Sequence, residues 1–103
     1  MTRPELSGRQ RQALRGMAHA LEPVVHVGQG GLSEGVVRAV EQALLDHELI
    51  KVRLHDPADK KGEAEALAVA VDATLCGLVG HTVILYRPHP EKPQIQVPAR
   101  SAT

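Results

Sequence analysis

Val24-Val25-His26-Val27-Gly28-Gln29-Gly30-Gly31-Leu32-Ser33-Glu34 is the stretch on which the fold of this chain turns. Its β-branched start predicts a short strand. Three glycines in four positions then predict a loop whose backbone can come close to a ligand. Ser33 suits an N-cap, so a helix is expected to follow. Strand, glycine loop and helix start form an α/β unit, with the helix aiming its unpaired N–H groups and positive dipole end at the loop. Such a cradle suits an anion, most naturally a phosphate. A strand-to-helix turn that binds nothing is the plainer alternative. The loop is not a P-loop, because no Lys follows Gly31 and the glycine spacing is wrong. It is not a dinucleotide fingerprint either, because the third glycine is misplaced and the chain is short for a doubly wound sheet. What remains is a G-x-x-G loop, the type that clamps a nucleic-acid backbone in KH-like modules.

Working outward, Leu6-Ser7-Gly8-Arg9-Gln10 predicts a helix start, with Ser7 and Gln10 as a capping box. Ala13, Leu14, Met17, Ala18 and Leu21 share one face of that helix, and Arg11, Arg15 and His19 line an adjacent face at four-residue steps. No acid lies between Glu5 and Glu22 to pair with those arginines, so the stripe is a candidate for phosphate contact rather than a solvated face alone. After Ser33, the positions Val36, Val37, Val40, Ala43 and Leu44 mark the inner face of a second helix. Glu34 suits the dipole at its start but would repel a phosphate held there.

From Ile50 the period becomes two. Ile50, Val52 and Leu54 alternate with Lys51, Arg53 and His55, which predicts a half-buried strand with one basic face. A third helix is expected from about Lys61 to Cys76, ended by Gly77. Leu78-Val79 and Thr82–Tyr86 then read as two strands joined by a hairpin turn at Gly80-His81. From Pro88 there are four prolines in eleven residues and little to bury. The chain therefore divides into a flexible N-terminus at 1–5, one domain at 6–88 and a Pro-rich extended tail at 89–103. The order α-β-α-β-α-β-β predicts an α/β two-layer sandwich with a mixed four-stranded sheet, the helices covering mainly one face.

Composition narrows the function. The chain has 103 residues, 43% of them apolar and 23% charged, within the ordinary range for one globular domain. Its one cysteine, Cys76, can form no internal disulfide and falls in an apolar run, which favours a buried thiol in a reducing compartment. No apolar run reaches the ~20 residues of a membrane span, and the start lacks a signal-peptide core, so a cytoplasmic location is expected. Twelve basic and twelve acidic residues balance to zero, yet arginines crowd the start while eight acids lie between Glu41 and Asp72. A neutral total can hide a basic face, and the local field is what attracts phosphate. Tyr86 is the sole Phe, Tyr or Trp, so a base-stacking platform is largely excluded.

Four blocks carry a family resemblance: Leu6-Ser7-x-x-Gln10-x-x-x-Leu14-Arg15-x-x-Ala18-His19, Pro23-Val24-Val25-x-Val27-Gly28-x-x-Gly31-Leu32-Ser33, His47-Glu48-Leu49-Ile50-Lys51-Val52, and Gly80-x-Thr82-x-x-Leu85-Tyr86-Arg87-Pro88. In this order the chain resembles a CRM domain, the module of chloroplast RNA splicing and ribosome maturation, and more narrowly the bacterial single-domain YhbY family. The resemblance implies a fold similar to the C-terminal domain of translation initiation factor three. It implies RNA binding through the G-x-x-G loop, here Gly28, Gln29, Gly30 and Gly31, and association with precursors of the large ribosomal subunit. The chain departs from the family in its neutral Gln29 and its zero net charge.

The expected function is non-catalytic RNA binding in large-subunit assembly, with ribosomal RNA as partner and no cofactor, metal or membrane. Gly28 to Gly31 would meet phosphate, flanked by Arg11, Arg15, His19, Lys51 and Arg53. Arg87 is a weaker candidate that would serve equally to brace the sheet edge. Whether the helix stripe and the strand share a face is not readable from sequence. The alternative is a protein-interaction adaptor whose glycine loop is purely structural. An enzyme is disfavoured, because no nucleophile or carboxylate pair accompanies the histidines and no metal-ligand spacing stands out.

Overall fold

Ser7 and Gln10 close the expected capping box. In the computed structural model, which describes residues 6–28 and 30–97, the Ser7 hydroxyl accepts from the Gln10 amide at 3.1 Å. The Gln10 side chain accepts from the Ser7 amide at 3.0 Å. Two groups that would otherwise be left unpaired at the helix start are thereby satisfied, and α1 runs over Gly8–Ala18. Then come β1 (Pro23–Val27), α2 (Glu34–His47), β2 (Leu49–Leu54), α3 (Lys60–Ala70), β3 (Thr74–Val79) and β4 (Thr82–Tyr86). The Ser33 hydroxyl caps α2 by accepting from Val36 at 3.2 Å. The element order is the one read from the sequence.

The four strands form one mixed sheet in the order β1-β2-β4-β3. β1 runs parallel to β2 through the α2 crossover, and β4 is antiparallel to both β2 and β3. The alternation in β2 sorts its side chains as the sequence predicts. Ile50, Val52 and Leu54 join Val83 and Leu85 of β4 under α2 and α3, against Val40, Leu44, Leu67 and Val71. The other face of the same strands carries Leu49, Ile84 and Tyr86, which pack with Cys76 of β3 against Leu14 and Ala18 of α1. The two-layer reading is thus extended: α2 and α3 cover one face, while α1 lies on the opposite one.

Two sequence readings are corrected. The third helix ends at Ala70, not near Cys76. Asp72 takes the left-handed conformation at φ 54°, and the Ala73 amide reaches back to the Ala68 carbonyl at 2.9 Å, closing the helix with an acid where a glycine was expected. The next apolar run, Thr74 to Val79, is strand β3, with a register shift between Leu75 and Gly77. Periodicity alone cannot separate such a run from a buried helix.

The segment after Pro88 also buries more than expected, since Ile95 and Val97 pack on the α1 side of the sheet. Its anchor is Glu48, which ends α2 at φ 68° and is only 4% exposed. The Glu48 carboxylate accepts from the amides of His89, Gln94 and Ile95 at 2.6, 2.9 and 2.7 Å. Burial pushes this carboxyl up, but the three amides outweigh it and hold the group below its ordinary value. Residues 1–5 and 98–103 lie outside the described residues, so the flexible N-terminus and the end of the tail remain expectations.

Candidate nucleic-acid interface

Gly28 follows the last residue of β1, and its carbonyl accepts from the Gly31 amide at 3.0 Å, closing a tight turn. Gln29 lies outside the described residues. Gly31 has φ 74°, so its own backbone calls for glycine. Gly28 and Gly30 differ. Gly28 does not occupy the left-handed region, and a Cβ built on it or on Gly30 meets nothing within 4 Å. The fold has room for side chains there, so glycine at these exposed positions leaves main chain open to whatever approaches from outside. At the same end of the sheet, the His55 amide donates to the Val27 carbonyl at 2.9 Å and the Leu54 amide to the His81 carbonyl at 2.8 Å. Glu34 at the start of α2 faces Arg38 at 3.8 Å, an exposed pair of little energetic weight.

Arg15 of α1 and its C-cap His19 share a face with Lys51 and Arg53 of β2. α1 covers only part of its side of the sheet and leaves an open groove of about 840 Å³. Arg15, Gly16 and His19 of α1 and its C-cap line one wall, with Lys51 and Arg53 of β2 and Thr82 and Ile84 of β4 on the floor. His26 lies beside Arg53 in the β1–β2 register, one residue before Val27 and the loop. Glu22 is the one acid on the groove's wall among the described residues. A chain with no net charge thus presents a locally positive surface, which is what phosphate responds to.

The cations are held to different degrees. Arg15 is not the free exterior residue that its helix position implies. Its Nη1 donates to the Cys76 carbonyl at 2.8 Å. Its aliphatic stem lies over Gly77, where a Cβ would come within 2.6 Å of Cδ. Four of its five N–H donors remain beyond that bond, and the guanidinium fork is pre-aimed. Lys51 Nζ donates to the carbonyls of His19 and Leu21 at 3.3 and 3.0 Å, tying down the end of α1 where the dipole is negative. It keeps one proton for another acceptor. Arg53 is exposed on the groove floor.

Arg11 and Arg87 stand apart from the groove lining. Arg11 Nη1 donates to the Leu6 carbonyl at 2.8 Å, and Arg87 Nη1 donates to the Val71 carbonyl at the end of α3 at 2.6 Å. Arg87 therefore ties the end of β4 to the C-terminal end of α3 rather than bracing a sheet edge, since β4 lies inside the sheet. Cys76 is buried, and burial, only partly offset by Arg11 and Arg15, pushes its thiol up to about 11. Such a thiol is a poor nucleophile.

Sequence reasoning missed Gly77 as the seat of Arg15 and Glu22 as part of the groove wall. Gly77 reads locally as a helix stop, and nothing near it marks a partner sixty-two residues away. Glu48 was missed as well: it follows Asp46 and His47 at the end of a helix, and nothing local sets it apart from its acidic neighbour.

With this geometry in place, the comparison with known proteins is specific. The CRS1 / YhbY (CRM) domain matches residues 6–87. The chain belongs to this family. It is 42% identical over 97 residues to an RNA-binding protein of Haemophilus influenzae, covering 92% of this chain and 97% of that protein. It is 37% identical over 95 residues to the probable RNA-binding protein YqeI of Bacillus subtilis, covering 90% and 99%. Among solved structures, the solution structure of SAV1595 from Staphylococcus aureus, described as a candidate RNA-binding protein, superposes with a TM-score of 0.80. It shares 33% identity and covers 91% of this chain and 100% of that one. The CRM match spans the glycine loop and every wall of the groove.

Proposed function

We propose that this CRM chain binds RNA without catalysis, holding the phosphate backbone between the Gly28–Gly31 loop and the groove of Arg15, His19, Lys51 and Arg53. The observation that carries the reading is the convergence of those four side chains from α1 and β2 on one open face. Gly28 and Gly30, where an added Cβ would meet nothing within 4 Å, leave main chain exposed just beyond the end of β1. With its single tyrosine buried, the chain has no Phe, Tyr or Trp in the groove, so recognition works mainly through backbone, shape and hydrogen bonds. The RNA is ribosomal, within precursors of the large subunit, as the family resemblance implies.

Contacts with about three to five phosphates give a log K versus log salt slope of roughly −2 to −4. Affinity that stays flat as salt rises would remove the phosphate account. In a sucrose gradient of cell lysate, the protein should co-sediment with large-subunit precursors and leave them after RNase treatment. Retention after RNase would favour a protein-only contact.

A further inference from the structure

Glu22 is out of place in a phosphate groove. Its carboxylate would repel the ligand that Arg15, Lys51 and Arg53 attract, and it forms no ion pair among the described residues. Its position explains it. The Leu21-Glu22 connection between α1 and β1 is a ridge, with the basic groove on one side and a second recess of about 430 Å³ on the other. That recess is mainly apolar. Met17, Leu21 and Val24 line it while remaining 42%, 40% and 47% exposed, with Leu49 and Ile95 of the α1-side cluster beside them and His47 and Glu22 as polar groups on its wall.

Exposed apolar side chains with a carboxylate beside them match one component of a nucleic acid, an unpaired base. Its faces are apolar and polarisable, which suits the Met17 thioether and aliphatic neighbours. Its edge carries the hydrogen-bonding groups. Phosphate and base are neighbouring parts of one nucleotide, so a strand lying in the groove can turn a base across the Leu21-Glu22 ridge.

Resting on the RNA-binding reading above, we propose that this recess takes an extruded nucleobase and that Glu22 reads its edge. An ionised carboxylate only accepts hydrogen bonds. Between the two pyrimidines it therefore favours cytosine, through its N4 amino group, over uracil, whose N3–H is flanked by two carbonyl oxygens. A base already unpaired in a bulge costs little to extrude, so bulged hairpins are preferred to perfect ones.

The test uses the full chain and three RNA hairpins, identical except for a bulged cytidine, a bulged uridine or no bulge, titrated by fluorescence polarisation at fixed salt. The cytidine bulge should bind about tenfold tighter than the other two. Glu22→Gln should erase the preference for cytidine over uridine, since the glutamine amide can also donate to uracil. Met17→Ser, at a part-exposed position, should shrink the advantage of the bulge, with circular dichroism verifying the fold of both variants. Equal, salt-dependent binding of all three hairpins would overturn the recess and leave the groove standing, as expected if the recess serves a protein segment. A cytidine preference that survives Glu22→Gln would overturn the role of Glu22. Absence of salt-dependent binding to every hairpin would sink both readings.

Discussion

The two faces of the sheet are built from the same strands and meet different fates. Under α2 and α3, Val52, Leu54, Val83 and Leu85 are closed off from water in an aliphatic layer. On the other side, α1 and the segment around Ile95 cover Leu49, Ile84 and Tyr86, and then the cover stops. Beyond it Lys51, Arg53 and Thr82 form the groove floor. A single helix is about 10–12 Å across with its side chains, narrower than four strands set about 4.8 Å apart, so α1 alone cannot roof its side of the sheet. The closed face supplies stability, and the half-open face leaves polar side chains free for a partner.

The closed face breaks most expensively. Leu67 is fully buried there, and Leu67→Ala should cost about 2–5 kcal/mol through lost burial and a residual cavity, measured by urea denaturation. A loss well below that range would mean that this layer can collapse around the gap.

Next is the anchor of the half-open face. Glu48→Gln replaces an acceptor oxygen by a donor amide facing main-chain N–H groups, at a cost on the order of 1–3 kcal/mol. The sign with pH follows from the lowered carboxyl. Glu48 contributes stability that is fully present above its ordinary value of 4.5 and is lost as pH falls through the lower folded value. The parent should therefore lose stability over that acid window more steeply than the variant. Parallel acid limbs in the two denaturation series would assign the segment's docking to Ile95 and Val97 alone.

Arg53→Gln separates binding from folding on the open part of that face. Stability should stay within about 0.5 kcal/mol, since the residue is exposed. RNA affinity should fall, and the salt slope should shrink by about 0.7–0.9 if one phosphate contact is lost. An unchanged slope would remove Arg53 from the interface. Arg87→Gln makes the opposite contrast, because its partner is the Val71 carbonyl: a lower melting temperature with an unchanged salt slope is expected.

As small an effect on stability as for Arg53→Gln is expected at Gly28→Ala. The added Cβ meets no neighbour, so stability should move by no more than about 0.5 kcal/mol in either direction. RNA affinity should still drop in a filter-binding assay, because the methyl stands where phosphate approaches. Unaltered affinity would make the loop a turn and nothing more.

What the sequence determined by itself was what repeats or closes over a few residues. The Ser7–Gln10 box, the Ser33 cap, the alternation from Ile50 to Arg53 and the Gly80-His81 hairpin all rest on hydrogen bonds or side-chain periods within one element. The order of elements and the place of the glycine loop followed from them. Tertiary structure decided the rest. Lys51 and His19 are thirty-two residues apart, Arg15 and Cys76 sixty-one, and the Glu48 carboxylate reaches amides more than forty residues on. Each of these partners looks ordinary in its local context. Asp72 could close α3 because the Leu75–Leu85 pairing made a strand of the residues that follow, a choice that side-chain spacing left open. The basic groove exists because the way α1 lies across the sheet sets which half stays uncovered, and no local pattern encodes where a helix stops covering its neighbour.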